Sequence, residues 1–204
     1  MLSPTDWPEA FHIQADAFSE DPLMTWLLGG RDQRERERRF HGFLVTYAAT
    51  RTFRDNAEVH AIADGGASAI WMRPPGHFVQ PVGEQLRMLP GLLRILGRSL
   101  PRALGFLGTA EKQHPADLDH WYLLGLATRR DRQGQGLGGL LLRFGLEHVD
   151  AERMPAYLES SNPRNISLYE RHGFRVTKPL DLPAGAPPVT AMWRDGAAPG
   201  GGAG

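Results

Sequence analysis

Apolar positions recur with helical spacing from Pro8 to Phe18, and Pro8 suits a first helical turn, so the chain opens on a helix that Glu20-Asp21-Pro22 ends. A second helix is expected from Asp32 to Phe53. It is entered through the charged run RDQRERERRF, where Glu35 and Arg39 stand four apart and the run reads as a solvated face. Two short apolar runs, Glu58–Ala63 and Ala67–Met72, flank Asp64-Gly65-Gly66 and predict a hairpin. Residues 84–108 are apolar at helical spacing (Leu89, Leu92, Leu96, Leu100), with Pro90 and Pro101 expected to bend or break them. This segment reads as packing over a cleft rather than lying on a membrane surface. Trp121 to Ala127 is unbroken apolar sequence, as in a strand buried on both faces. A glycine-rich loop follows, then a helix from Leu137 to Arg153 whose leading apolar face is Leu137, Leu140, Leu141 and Phe144, extended by Leu142, Leu146 and Val149. Met154–Glu159 predicts a strand and Asn165–His172 a short helix with Gly173 just past its end. Phe174–Thr177 and Val189–Trp193 predict final strands. Strands alternating with helices make this an α/β chain. Residues 1–195 form one domain, and the last nine, GAAPGGGAG, are expected to be a disordered tail.

Composition narrows the chemistry. The 204 residues contain no cysteine, which removes disulfides, thiolate metal ligands and a cysteine nucleophile; no metal site is expected. The formal net charge is zero, so nothing global points to nucleic acid or an anionic membrane. The start MLSPTDWPEA lacks a secretory pattern, and no apolar stretch approaches a membrane span, so a cytoplasmic protein is expected.

The stretch TRRDRQGQGLGGLLL, residues 128–142, places glycines between a strand and a helix, where backbone N–H groups point at an anion. Gly134, Gly136 and Gly139 spell G-x-G-x-x-G, and Glu159 follows Gly139 by twenty residues, as in a dinucleotide-binding fold. That reading, an NAD(P)-dependent oxidoreductase, is disfavoured. Six polar residues, Thr128 to Gln133, separate the strand from the first glycine, and only 45 residues remain after Glu159 for further βα units. No Gly-Lys-[Ser/Thr] exists for a Walker loop.

Gln133-Gly134-Gln135-Gly136-Leu137-Gly138 resembles the Q/R-x-x-G-x-G/A signature of the GNAT N-acetyltransferases, and PAYLESSNPRNISLYERHGF resembles a second conserved block of that superfamily. In that block Asn165, Tyr169, Gly173 and Phe174 match position by position. HWYLLGLATRRDRQGQGLG also resembles the branch that contains puromycin N-acetyltransferase, with Arg130 and Thr128 as departures. The resemblance covers about residues 117–194 and implies a mixed central sheet of about six to seven strands flanked by helices, with a first strand that is hard to find.

It further implies transfer of acetyl from acetyl-CoA to an amine of a small molecule or peptide by direct attack. The amides of Gln135, Gly136, Leu137, Gly138 and Gly139, with Gln133 and Gly134 in the same loop, would hold the pyrophosphate. Leu126, Ala127 and Thr128 would pair with the pantetheine arm, and Asn165 would bind the same cofactor. Tyr169 is the candidate general acid. Glu159 is the leading candidate base and His120 the second, its ordinary pKa being close to ideal. Asp21, Trp26 and Trp71 are candidate acceptor contacts, Asp21 for a cationic amine and the tryptophans for an aromatic group. A non-catalytic acyl-CoA sensor is the alternative class. The expected partners are an amine acceptor and, at most, a second copy of the chain, which is read as a monomer or homodimer.

Overall fold

The computed structural model describes residues 1–30, 32–76 and 80–197. The apolar runs become strands β1 (Ala57–Ala61), β2 (Ala67–Met72), β3 (Trp121–Thr128), β4 (Ala156–Ser160), β5 (Arg175–Pro179) and β6 (Thr190–Arg194). Among the described residues they form one six-stranded sheet in the order β1-β2-β3-β4-β6-β5. The β3–β4 pair is parallel and every other pair is antiparallel. The elusive first strand is reduced to a single tie, the Leu2 N–H donating to the Val59 carbonyl at 2.7 Å. Most of the expected tail, residues 198–204, lies outside the described residues.

Helices α1 (Trp7–Phe18), α2 (Pro22–Leu28), α3 (Gln33–Ala48), α4 (Arg51–Asn56), α5 (Val82–Leu96) and α6 (Leu100–Gln113) contribute to a core that covers one face of the sheet. Helices α7 (Leu137–Ala151) and α8 (Ile166–Glu170) pack on the other, around Trp71, Leu142, Leu146 and Leu158.

Four expectations about elements need correction. Pro22, expected only to end the first helix, starts a second over residues 22–28, because Asp21 Oδ1 accepts from the amides of Leu23 and Met24 at 2.9 and 3.1 Å and caps it. The single helix expected from Asp32 to Phe53 is two, because the Thr50 side chain turns back to the Phe53 amide and starts α4. Pro90 is accommodated inside α5, and the break comes at Gly97, whose φ of 50° suits glycine. In α7, Leu140 and Phe144 are exposed while Leu141, Leu142, Gly145, Leu146 and Val149 are buried. Gly145 decides that face: a Cβ there would run into the Trp71 indole, so the helix lies close on the sheet at this point.

The charged run also does more than meet solvent. Glu35 and Arg39 do pair, at 2.6 Å. Arg39 also donates to the Leu28 carbonyl at the end of α2, and Arg36 donates to the Ser19 carbonyl just past α1, both at 2.6 Å. Each guanidinium thus fills an orphan acceptor at a helix C-terminus.

Candidate active site

Two local features make an opening in the sheet. β3 pairs with β4 only through Trp121, Tyr122 and Leu123, opposite Ala156, Tyr157 and Leu158; beyond that the two strands part. On its other side β3 carries a bulge, since Ile70 pairs with Gly125 but Trp71 pairs with Leu123, leaving Leu124 as the extra residue. From Leu124 to Thr128 the β4-facing edge of β3 is therefore unpaired by the sheet.

The glycine loop begins where that edge ends. Gly134 (φ 78°) and Gly136 (φ 79°) occupy the left-handed region, and Gly136 is the residue before α7. Space is open at both, so the backbone angle and not crowding requires glycine there. No described acceptor takes the amides of Gln133 through Gly139, which leaves a row of donors at the positive end of α7. The loop is held from its flanks. Arg132 bonds Asp64 of the β1–β2 turn at 2.8 Å and Gln135 at 3.0 Å, and the Arg130 amide donates to Asp16 of α1 at 2.9 Å. The Arg130 guanidinium adds contacts to Asp16 and Glu20 at 3.5 and 3.1 Å, so the departure from the resembled family at Arg130 serves as an anchor. Gln133 reaches back to the Thr128 carbonyl at 3.3 Å.

Below the loop, a cavity of about 570 Å³ opens between the N-terminal helices and the splayed strands. Glu159, Asn165, Tyr169 and Leu126 all line it. Tyr169 is buried, and its hydroxyl has no partner among the described residues. Burial pushes its phenol up to about 12, because the phenolate would lose its hydration. Asn165 sits one turn before Tyr169 and is itself exposed.

Glu159 stands at the centre of a polar web. Its Oε1 accepts from the Tyr157 hydroxyl at 3.0 Å, and Oε2 lies 3.5 Å from the Tyr122 hydroxyl. The His114 ring approaches Oε1 at 3.9 Å. Burial first, and the Glu159 charge second, hold both tyrosines above the usual phenol range, so they stay protonated as donors to the carboxylate. His120, fully buried just before β3, does not line the cavity; its Nε2 lies 3.0 Å from His114 Nε2. His120 Nδ1 is 2.7 Å from the Leu118 carbonyl, which can only accept, so Nδ1 carries a proton. The connection from His120 to Glu159 thus runs through His114, which no sequence signal singled out. His114 follows the end of α6 and reaches the site through tertiary packing.

The expected acceptor contacts fare differently. Trp71 is corrected: it is 1% exposed and packs against Trp121 under α7, on the far face from the cavity. Trp26 carries the Arg102 guanidinium over its ring at 5.3 Å and does not line the cavity. Asp21 spends one oxygen capping α2 and the other accepting from Ser161 at 2.8 Å, so it ties α2 to the loop after β4 rather than facing an amine.

The family model described as "Acetyltransferase (GNAT) family" matches residues 71–174. The chain belongs to the GNAT acetyltransferase family. Within it, curated relatives include a mycothiol acetyltransferase of Streptomyces scabiei, 34% identical over 116 residues, covering 55% of this chain and 30% of that one. Another, from Corynebacterium glutamicum strain R, is 36% identical over 70 residues, covering 33% of this chain and 23% of the relative. The matches thus span less than a third of these relatives. Neither relative carries the name of the puromycin branch, so the coarser GNAT assignment is the one that stands. Among solved structures, a Corynebacterium glutamicum protein described as a histone acetyltransferase HPA2 and related acetyltransferase superposes with a TM-score of 0.70 at 22% identity, over 98% of this chain and 96% of that one. A Drosophila melanogaster polyamine N-acetyltransferase gives 0.55 at 13% identity, over 96% and 97%. Both share the GNAT fold. The dinucleotide-binding alternative fails on topology, since one parallel pair in a mostly antiparallel sheet is not a doubly wound fold. Among the described residues no cluster of His, Asp or Glu is arranged to hold a metal, and no helix is long and apolar enough to cross a membrane.

Proposed function

We propose that this chain is an N-acetyltransferase that moves acetyl from acetyl-CoA to a primary amine of a small molecule or peptide within a ternary complex. The observation that carries the reading is the convergence of Glu159, Asn165 and Tyr169 on one cavity where β3 leaves β4. The residues fit the cosubstrate. The unpartnered amides from Gln133 to Gly139 suit a diphosphate, and the open edge at Leu126, Ala127 and Thr128 suits the amide groups of a pantetheine arm.

Glu159 takes the proton that the ammonium must lose, directly or through water. The amine nitrogen then attacks the thioester carbonyl; an N–C bond forms and the C–S bond breaks. Tyr169 donates its proton to the departing thiolate and is reprotonated, through water, by the second proton that the nitrogen sheds as the amide forms. A phenol at about 12 is a weak donor to a thiol of ordinary pKa near 8.5. The same dry environment raises the basicity of the thiolate, so burial shifts donor and acceptor in the same direction. His120 sits behind Glu159 as a positioning residue: its Nδ1 donates to the Leu118 carbonyl, and its Nε2 meets Nε2 of His114, whose ring approaches Glu159.

The test is steady-state kinetics with acetyl-CoA and an amine panel. Tyr169→Phe is expected to lower kcat about tenfold or more with unchanged CoA affinity, and Glu159→Gln about a hundredfold. Wild-type kinetics from both variants would overturn these roles. CoA binding without turnover of any amine would favour the acyl-CoA sensor.

A further inference from the structure

The cavity extends from Glu159 and Tyr169 into the helical layer on one face of the sheet. Its far wall is built by four helices, through Leu27 of α2, Phe40 and Leu44 of α3, Leu96 of α5, and Ala103 and Phe106 of α6. All six belong to the core on that face of the sheet. The acids that line the cavity are Glu159, beside the proposed reaction centre, and Glu111, exposed near the end of α6. Several of the other polar side chains on the wall are already committed inside the protein. Gln14 donates to Ser68, Ser160 donates to the Asn162 carbonyl, and Ser161 donates to Asp21. Against the six apolar residues of this wall, a ligand rich in hydroxyls or carrying a second charge would bury those groups with nothing to replace their water. A ligand with one ammonium and an apolar body would place its charge at Glu159 and its carbon in the helical pocket.

We propose that the acceptor is a hydrophobic monoamine, an alkyl- or arylalkylamine, whose apolar body fills the pocket walled by α2, α3, α5 and α6. This rests on the acetyltransferase reading above and names its substrate class. The segment carrying α5 and α6, whose helical spacing suggested a cover over a cleft, is then a specificity element. Its inward residues set how much carbon the site accepts.

The experiment compares n-butylamine, n-octylamine, 2-phenylethylamine, 1,4-diaminobutane and glucosamine. Acetylation is measured with acetyl-CoA, and binding of the same amines is measured by calorimetry on protein saturated with CoA. Each buried methylene is worth up to about fourfold, so octylamine is expected to exceed butylamine by about thirtyfold or more in kcat/KM and in affinity. Diaminobutane and glucosamine should fall below butylamine. Ala103→Phe, which fills the pocket, should lower the octylamine values at least about tenfold more than the butylamine values. If that variant does not fold, Leu107→Gln at the half-buried border should reduce the octylamine preference in the same sense.

A flat series, or preference for the diamine or the sugar amine, overturns the inference while leaving the acetyltransferase reading intact. Faster reaction of octanoyl-CoA than acetyl-CoA with butylamine also overturns it, by giving the pocket to the acyl chain. Size-dependent amine binding that Ala103→Phe abolishes, without any acetylation, upholds the pocket's chemistry and fails the catalytic reading instead.

Discussion

At the scale of single residues, environment separates groups that the sequence made look alike. Tyr169, Tyr122 and Tyr157 are all buried, yet two of them hold a carboxylate and the third leaves its hydroxyl to the cavity. The raised Tyr169 pKa has a consequence for stability. An unfolded chain ionises this phenol near its ordinary 10, and the folded chain only near 12. The stabilisation is complete below pH 10 and is lost as pH rises toward 12. In denaturant titrations Tyr169→Phe should therefore lose less stability than wild type between those pH values; identical slopes would refute the assignment. The placement of Tyr169 one helical turn after Asn165 was legible in the sequence because their spacing and the following Gly173-Phe174 are local. His114 was not, because its place beside Glu159 depends on where α6 stops. Trp71 misled because all six β2 residues are buried, so the strand has no polar side to reveal which face an indole takes.

At the scale of elements, short side-chain caps decide what periodicity leaves open. Asp21 and Thr50 each begin a helix of seven residues or fewer, inside sequence that reads as a turn or as one long helix. Such helices are below the length at which an apolar stripe declares itself. The turn before α7 was legible for the opposite reason: left-handed glycines are written in the chain. Gly136→Ala places a Cβ on a backbone at φ 79° with room around it, so the effect is strain rather than collision. That strain is about 1–2 kcal/mol, and relaxing it would turn the loop amides away from the proposed diphosphate. CoA affinity should fall about tenfold, read by calorimetry, while amine binding to the free enzyme is unchanged. Equal CoA affinity would mean that the loop's shape does not govern binding.

At the scale of the whole molecule, a mixed sheet of about six strands flanked by helices was foreseen in outline, since the order of elements is a property of the chain. The division of labour between them was not. Helices α1, α2, α3, α5 and α6 line the apolar cavity, whereas α7 follows the glycine loop and α8 carries Tyr169; on the proposed reading the sheet separates an acceptor side from a cosubstrate side. A ligand that spans the two should stabilise the fold by mass action, by about 2.7 kcal/mol at a hundred times its Kd. For a chain of this size that is a rise in Tm of about 5–10 °C, expected with CoA or acetyl-CoA and absent with NAD. A rise with NAD alone would contradict both the loop assignment and the topology.

The brief contact between β3 and β4 reaches further than catalysis. Main-chain bonding runs along most of the length of every other seam in the sheet, but here it stops after three residue pairs. The β3–β4 seam is thus a short spine at the middle of the sheet. If a thioester lies along the bare margin of β3, as proposed above, it would bridge the strands where they part. On the proposed reading the donor molecule would then double as a removable part of the scaffold.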